Sequence, residues 1–227
     1  MSLIEKSKDM ERRYEGGIDT WGNRERRLYQ SIFKKAVDLV KSELLIQGEY
    51  NWFDVGCGGG NIWDTVLENS DPTTTTFTVS GCDIVPKAVD DLITRYPETV
   101  RKNVFVCDLE EEHSTGTVSE LGRALREADV VSFVDVLYYL GEKRDYRKTL
   151  DELWEMIRPG CIVICADSLI PYQRRSYLKK KPDCILLHSY TDYTEPVSEE
   201  VNPTGRRWHR YLKVMIYKKG ELTCPTV

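Results

Sequence analysis

In Asp54-Val55-Gly56-Cys57-Gly58-Gly59-Gly60 an acid precedes glycines at alternate positions, Gly56, Gly58 and Gly60. Glycines lack a Cβ, so such a loop can turn tightly and bring its backbone close to a ligand. An acid beside it can balance a cationic group. Asp83 and Asp108 each close a further short apolar run. A carboxylate can accept from two sugar hydroxyls or from the amino group of a base; either aspartate could equally be a turn residue or a helix cap. Asp135, Tyr138 and Tyr139 follow a fourth apolar run and place a general base and two phenols together. The alternative is that Asp135 caps a turn while a tyrosine packs in the core.

The glycines themselves separate two ligands. A nicotinamide or flavin fingerprint needs glycine at the first, third and sixth positions of its motif. Counted from Gly56, the sixth position is Asn61. S-adenosylmethionine has no pyrophosphate to seat at a helix N-terminus; its amino acid moiety needs room against the backbone and an acid for its ammonium. Asp54 ahead of Gly56, Gly58 and Gly60 suits that ligand, with Asp83 for the ribose and Asp108 for the adenine.

These residues need a sheet to hold them. Short apolar runs alternate with segments of helical period, which signals an α/β fold. Leu28, Ile32, Ala36, Leu39 and Val40 line one face of a first helix. Strands are expected at Tyr50 to Val55, Phe77 to Cys82, Asn103 to Cys107, Asp129 to Val134 and Cys161 to Ala166. The fourth is nearly all apolar, as a strand buried on both faces should be. Helices are expected from about Asn61 to Glu68, after Pro86, around Val118 to Leu125 and around Leu150 to Ile157. Cys184 to His188 and Tyr211 to Tyr217 have no full helix between them and predict a terminal hairpin. The Thr73 to Thr76 run lengthens the path from Asp54 to Asp83 and is expected in a loop on the far side of the sheet.

The segments DVGCGGG, GCDIVPKAVDDL, VFVCDLEE, VVSFVDVLYYL and LWEMIRPGCIVIC resemble, in order, the motifs of class I S-adenosylmethionine-dependent methyltransferases, over about residues 50 to 166. DVLYYL followed by a helix and RPG is similar to nodulation-type N-methyltransferases and related small-molecule enzymes. The resemblance implies a Rossmann-like seven-stranded sheet with helices on both faces and an antiparallel last strand. It places Asp54, Gly56, Cys57 and Gly58 around the methionine part of the cofactor, and Asp83 and Ile84 at the ribose and adenine. Asp108 and Leu109 would hold the adenine edge, and the Val134 carbonyl would meet the ammonium. Asp135, Tyr138 and Tyr139 would face the methyl acceptor. Asp135-Val136-Leu137-Tyr138 lacks the prolines of the DNA amino-methyltransferase motif.

The remaining features set bounds. A chain of 227 residues suits one domain, and 41% hydrophobic with 30% charged residues suits a charged surface over a moderate core. A net charge of -5 gives no global attraction to phosphate backbones, which counts against nucleic acid. Arg174-Arg175, Lys179-Lys180-Lys181 and Arg206-Arg207 are local basic clusters, read first as solvated surface. Seven cysteines without a paired CxxC, and His113, His188 and His209 scattered along the chain, argue for buried free thiols and no metal site. With neither a leader-like N-terminus nor a membrane span, the expected place is the cytoplasm. Tyr14 and Trp21 lie among the glycines of residues 1–27, which read either as a lid or equally as a tail packed on the sheet, ahead of a domain at 28–227. The oligomeric state is left open, and the expected partner is a small-molecule acceptor.

Overall fold

A computed structural model describes residues 27–44, 47–99, 101–110, 119–141, 145–167, 177–193 and 211–221. The expected lid residues Tyr14 and Trp21, and also His113, His209, Arg174, Arg175, Arg206 and Arg207, lie outside them. Helix α1 spans Arg27–Glu43 and leads to strand β1, Gly48–Val55. Then follow α2 (Trp63–Glu68), β2 (Thr75–Asp83), α3 (Pro86–Arg95) and β3 (Arg101–Val106). The second half runs α4 (Glu120–Glu127), β4 (Val130–Val134), α5 (Tyr146–Met156), β5 (Ile162–Asp167), β6 (Cys184–Tyr193) and β7 (Tyr211–Lys219).

The seven strands form one sheet in the order β3-β2-β1-β4-β5-β7-β6. β1 to β5 pair in parallel, while β7 runs antiparallel to both of its neighbours. Alternate strand residues go to opposite faces. Trp52, Val130, Ile162 and Ile216 join α1 and α2 in one core, together with Leu92 of α3. Their neighbours Phe53, Val131, Val163 and Tyr217 join α4 and α5 in the other. Each fully buried Ile, Leu or Phe contributes roughly 1.5–3 kcal/mol, so two continuous cores hold the sheet from both sides.

Local chemistry sets the element ends. Pro86 occupies the first turn of α3, where its missing N–H costs nothing. The Ser119 hydroxyl accepts from Gly122 N–H at the start of α4, and the Asp145 carboxylate accepts from Arg147 N–H at the start of α5. Apart from the end of β6, the expected strands fall where the sheet has them, with ends moved by a residue or two. The Thr run is corrected in part: Thr75 and Thr76 belong to β2, opposite Gly48 and Glu49, because parallel pairing with a longer β1 extends both strands toward the amino edge. β6 runs five residues beyond the expected end at His188, to Tyr193, because its pairing with β7 continues as far as Tyr211.

Position along the sheet follows from register. Cys184 opposes Lys219, and Lys218 opposes Ile162, so β6 begins at the amino edge of the parallel strands. Lys179, Lys180 and Lys181, just before it, therefore sit at the edge opposite the glycine loop. α1 runs the other way: Glu43 meets His188 at 2.9 Å, and the Tyr190 hydroxyl donates to the Ile32 carbonyl at 3.0 Å. Its first turn thus points toward the carboxyl edge.

Candidate active site

At β1 and β4 the winding of the chain reverses, and a ligand crevice forms outside the strand ends at such a point. The glycine loop leaves β1 there with Gly56, Gly58 and Gly60 at φ of 69°, 48° and 71°. Side chains rarely adopt that region. Both Gly56 N–H and Cys57 N–H donate to the Cys82 carbonyl, at 2.8 and 3.0 Å, which fixes the loop against β2. Gly81 is also obligatory: a Cβ there would lie 2.7 Å from the Asp54 carbonyl oxygen.

Asp83 ends β2 and is buried. Its two oxygens each accept one backbone N–H, from Gly58 at 2.8 Å and from Val85 at 2.9 Å. A carboxylate has about four acceptor positions, so each oxygen keeps capacity for one ribose hydroxyl. Burial raises its pKa, against the pull of these backbone donors.

Asp54 is buried and accepts from the Ser132 hydroxyl at 2.5 Å. Ser132 in turn accepts from the Trp52 indole N–H at 2.8 Å. Burial pushes the Asp54 carboxyl up to about 7, the Ser132 hydrogen bond working against it and the charge of Asp83 with it. Neither Asp54 nor Asp83 has a cationic partner among the described residues. Two adjacent buried acids without a cation, beside a loop of left-handed glycines, fit a ligand carrying an ammonium and a ribose. S-adenosylmethionine is such a ligand.

A raised pKa has a definite sign in stability. The folded state holds the Asp54 proton more tightly than the unfolded chain does. This contribution is complete below the ordinary value of 3.8 and is lost as pH rises through about 7. The melting temperature of Asp54→Asn is therefore expected to draw ahead of the parent's as pH rises from ~4 to ~7, and to keep a constant lead near pH ~8. Scanning calorimetry of the ligand-free proteins across this range measures the difference; parallel melting curves would refute the assignment.

Across the crevice, Asp108 accepts from Glu110 N–H at 2.9 Å in a tight turn, with Leu109 buried beside it. Glu110 then accepts from Gly141 N–H at 2.5 Å, tying the loop after β3 to the loop after β4. Val134 ends β4, and Ile84 packs on Val85 and Ala88. Asp135 has a φ of 50°, unlike any other non-glycine residue described. Its N–H donates to the Ala166 carbonyl at 2.8 Å, which anchors this residue to β5. Such strain costs roughly 1–3 kcal/mol and collects at functional sites. Tyr139 is half-buried in the following turn, and the side chain of Tyr138 lies outside the described set.

The fold thus unites Asp54, Gly56, Cys57, Gly58 and Asp83 in one cluster and brings Asp108 and Asp135 to the same edge. It leaves the Lys179 to Lys181 cluster on the other. Burial, reinforced by Asp83 and Asp54, raises the Cys57 thiol well above its usual range. Among the described residues no helix is long and apolar enough to cross a membrane. Ser132, Val136, Glu110 and Asp167 escaped the sequence reading. Ser132 had a signal: it is the lone hydroxyl in the apolar run Val130–Val134, and a buried polar group needs a partner. Val136 fills the space a Gly56 side chain would take, a contact without a sequence signature.

The methyltransferase domain family matches residues 53–163. No curated protein matches the chain in sequence. The fold is that of the N-methyltransferase NodS from Bradyrhizobium japonicum in complex with S-adenosylhomocysteine. That likeness has a TM-score of 0.64 and 14% identity, over 95% of this chain and 98% of that one. A protein from Pyrococcus horikoshii proposed to be an RNA methyltransferase aligns at a TM-score of 0.54 and 20% identity, over 84% of each chain. The CurJ carbon methyltransferase aligns at 0.56 and 13%, over 91% of this chain and 59% of that one. With the domain match over residues 53–163, its strand order and the glycine loop at the switch point, the chain carries the domain and the fold of an S-adenosylmethionine-dependent methyltransferase.

Proposed function

We propose that this enzyme methylates an oxygen or nitrogen of a small molecule. One observation carries the reading: all five parallel strands bring an aspartate to the carboxyl edge, namely Asp54, Asp83, Asp108, Asp135 and Asp167. An acidic edge repels a phosphate backbone and suits a neutral or cationic acceptor. In this reading Asp54, Gly56, Cys57 and Gly58 surround the methionine part of the cofactor, with the Val134 carbonyl accepting from its ammonium. Asp83 and Ile84 take the ribose, and Asp108 and Leu109 the adenine edge. Bound S-adenosylmethionine supplies a sulfonium methyl electrophilic enough for direct displacement. The protein's own task is to align the acceptor and exclude water. Asp135, with Tyr138 and Tyr139, lines the acceptor side, and Asp135 accepts the proton of an acceptor that arrives protonated. Residues 1–27, with Tyr14 and Trp21, act as the lid; support comes from α1, whose first turn points to this edge.

A second reading, RNA as acceptor, has the likeness to the Pyrococcus horikoshii protein in its favour. The distance of the Lys179 to Lys181 cluster from the crevice counts against it. The two are separated by following S-adenosylhomocysteine release with panels of small amines, small hydroxy compounds and RNA. Small-molecule turnover is expected to change little between ~50 and ~200 mM salt, whereas RNA turnover would collapse. Asp135→Asn keeps a residue tolerant of positive φ and removes the base. It is expected to lower kcat about 100-fold or more with a protonated acceptor while sparing cofactor affinity. Activity on RNA alone would overturn the reading.

A further inference from the structure

Asp54 is held from behind as well as facing the crevice. β4 delivers Ser132, wholly buried, and β1 delivers Trp52, wholly buried. The indole N–H donates to the Ser132 oxygen, and the Ser132 hydroxyl donates to Asp54 Oδ1. The direction of this chain is forced, because an indole only donates and an ionised carboxylate only accepts. With Oδ1 held by Ser132, the carboxylate cannot swing; the buried indole N–H of Trp63, on α2, also faces it and favours the ionised form.

We propose that Ser132, itself oriented by Trp52, is the positioning residue that holds Asp54 ionised and aimed at the ammonium of the cofactor. This inference rests on the reading that Asp54 faces the methionine end of the ligand. The surroundings show why such help is needed. Asp83 faces Asp54 from β2 and adds a like charge. Cys57, on the loop, contributes a thiol that burial first, and then both carboxylates, hold protonated. The same hydrogen bond from Ser132 favours the ionised form, and a donor polarised by a further hydrogen bond is the stronger donor. Removing the hydroxyl lets burial and Asp83 push the carboxyl still higher, and near-neutral pH then finds Asp54 protonated.

The test is calorimetric titration of the purified full chain with S-adenosylhomocysteine between pH ~6 and ~8.5, with 5′-methylthioadenosine, which lacks the ammonium, as the second ligand. In the parent, affinity for S-adenosylhomocysteine should fall by up to about tenfold per pH unit on the acid side of the Asp54 titration. Ser132→Ala should move this profile to higher pH, weakening binding about tenfold at neutral pH and recovering it in alkali. Trp52→Phe, which keeps the aromatic bulk, should move it in the same direction by less. Ser132→Thr, which keeps the hydroxyl, should leave the profile in place. Binding of 5′-methylthioadenosine should stay unchanged in all three. A pH-independent loss for both ligands would show a merely structural role and overturn the inference. Asp54→Asn separates the two levels: full affinity in that variant would overturn the ligand reading itself. Weakened affinity in Asp54→Asn beside an unmoved Ser132→Ala profile would overturn only the role of Ser132. If Ser132→Ala fails to fold, Trp52→Phe decides alone, and an unmoved profile there overturns the proposal.

Discussion

Gly56→Ala is expected to remove most of the affinity for S-adenosylhomocysteine. Two effects add. At a φ of 69° a side chain costs roughly 1–2 kcal/mol. The new Cβ would also lie 2.8 Å from Val136 Cβ and closer still to its Cγ2, so Val136 must move. Val136 adjoins Asp135, which is already strained and tied to β5, so the displacement passes into the acceptor side of the crevice. Together these should cost about 3 kcal/mol of binding, or about 100-fold in Kd. The double variant Gly56→Ala with Val136→Ala removes the nearer contact, to Cγ2, and keeps the approach to the Cβ of residue 136. It should recover roughly tenfold, leaving that Cβ contact and the backbone strain behind. Calorimetric Kd values for parent, single and double variants make the measurement. A single variant that binds like the parent would show that the loop backbone does not approach the ligand.

Asp83→Ala should match that loss by a different route. The carboxylate accepts from Gly58 N–H and Val85 N–H and, in the proposed site, from two ribose hydroxyls. Truncation leaves buried donors unpaired on both sides, at about 1–3 kcal/mol each. Affinity should fall about 100-fold or more. Asp83→Asn is the more telling variant. Its amide nitrogen can only donate, so it must face either Gly58 N–H or Val85 N–H, and both already donate. Asn is therefore expected to fall close to Ala, and Glu above both, because Glu keeps two acceptor oxygens. If Asn instead restores full affinity, Asp83 braces the loop through one oxygen and takes no part in the ribose contact.

Much of the scaffold was legible from periodicity. Runs such as Val130 to Val134 can be satisfied only by a strand covered on both faces, and Leu150, Leu153, Trp154 and Ile157 only by a helix with one buried stripe. Element ends were less legible. Thr75 and Thr76 have no apolar signal, and their place in β2 comes from backbone pairing with Gly48 and Glu49. A hydrogen-bond ladder extends as far as its neighbour does, whatever the side chains.

The glycine loop, the acids Asp54, Asp83 and Asp108 at their strand ends, and five helix-then-strand pairs followed by two strands were all readable along the chain. These are local patterns, each contained within a few residues. Only the tertiary structure decided how the acids are held. Ser132 and Asp54 stand 78 positions apart and Glu110 and Gly141 31 apart, yet each pair is hydrogen-bonded. Register likewise placed Lys179 to Lys181 at the amino edge, away from the crevice, because β7 runs antiparallel and returns β6 to that end. The same register anchors Asp135, at its positive φ, to β5 through a backbone hydrogen bond to Ala166. The physical reason is common to all four. Periodicity records which face of its own element a residue occupies, whereas hydrogen-bond partners, charge and strain depend on which other strands lie beside it.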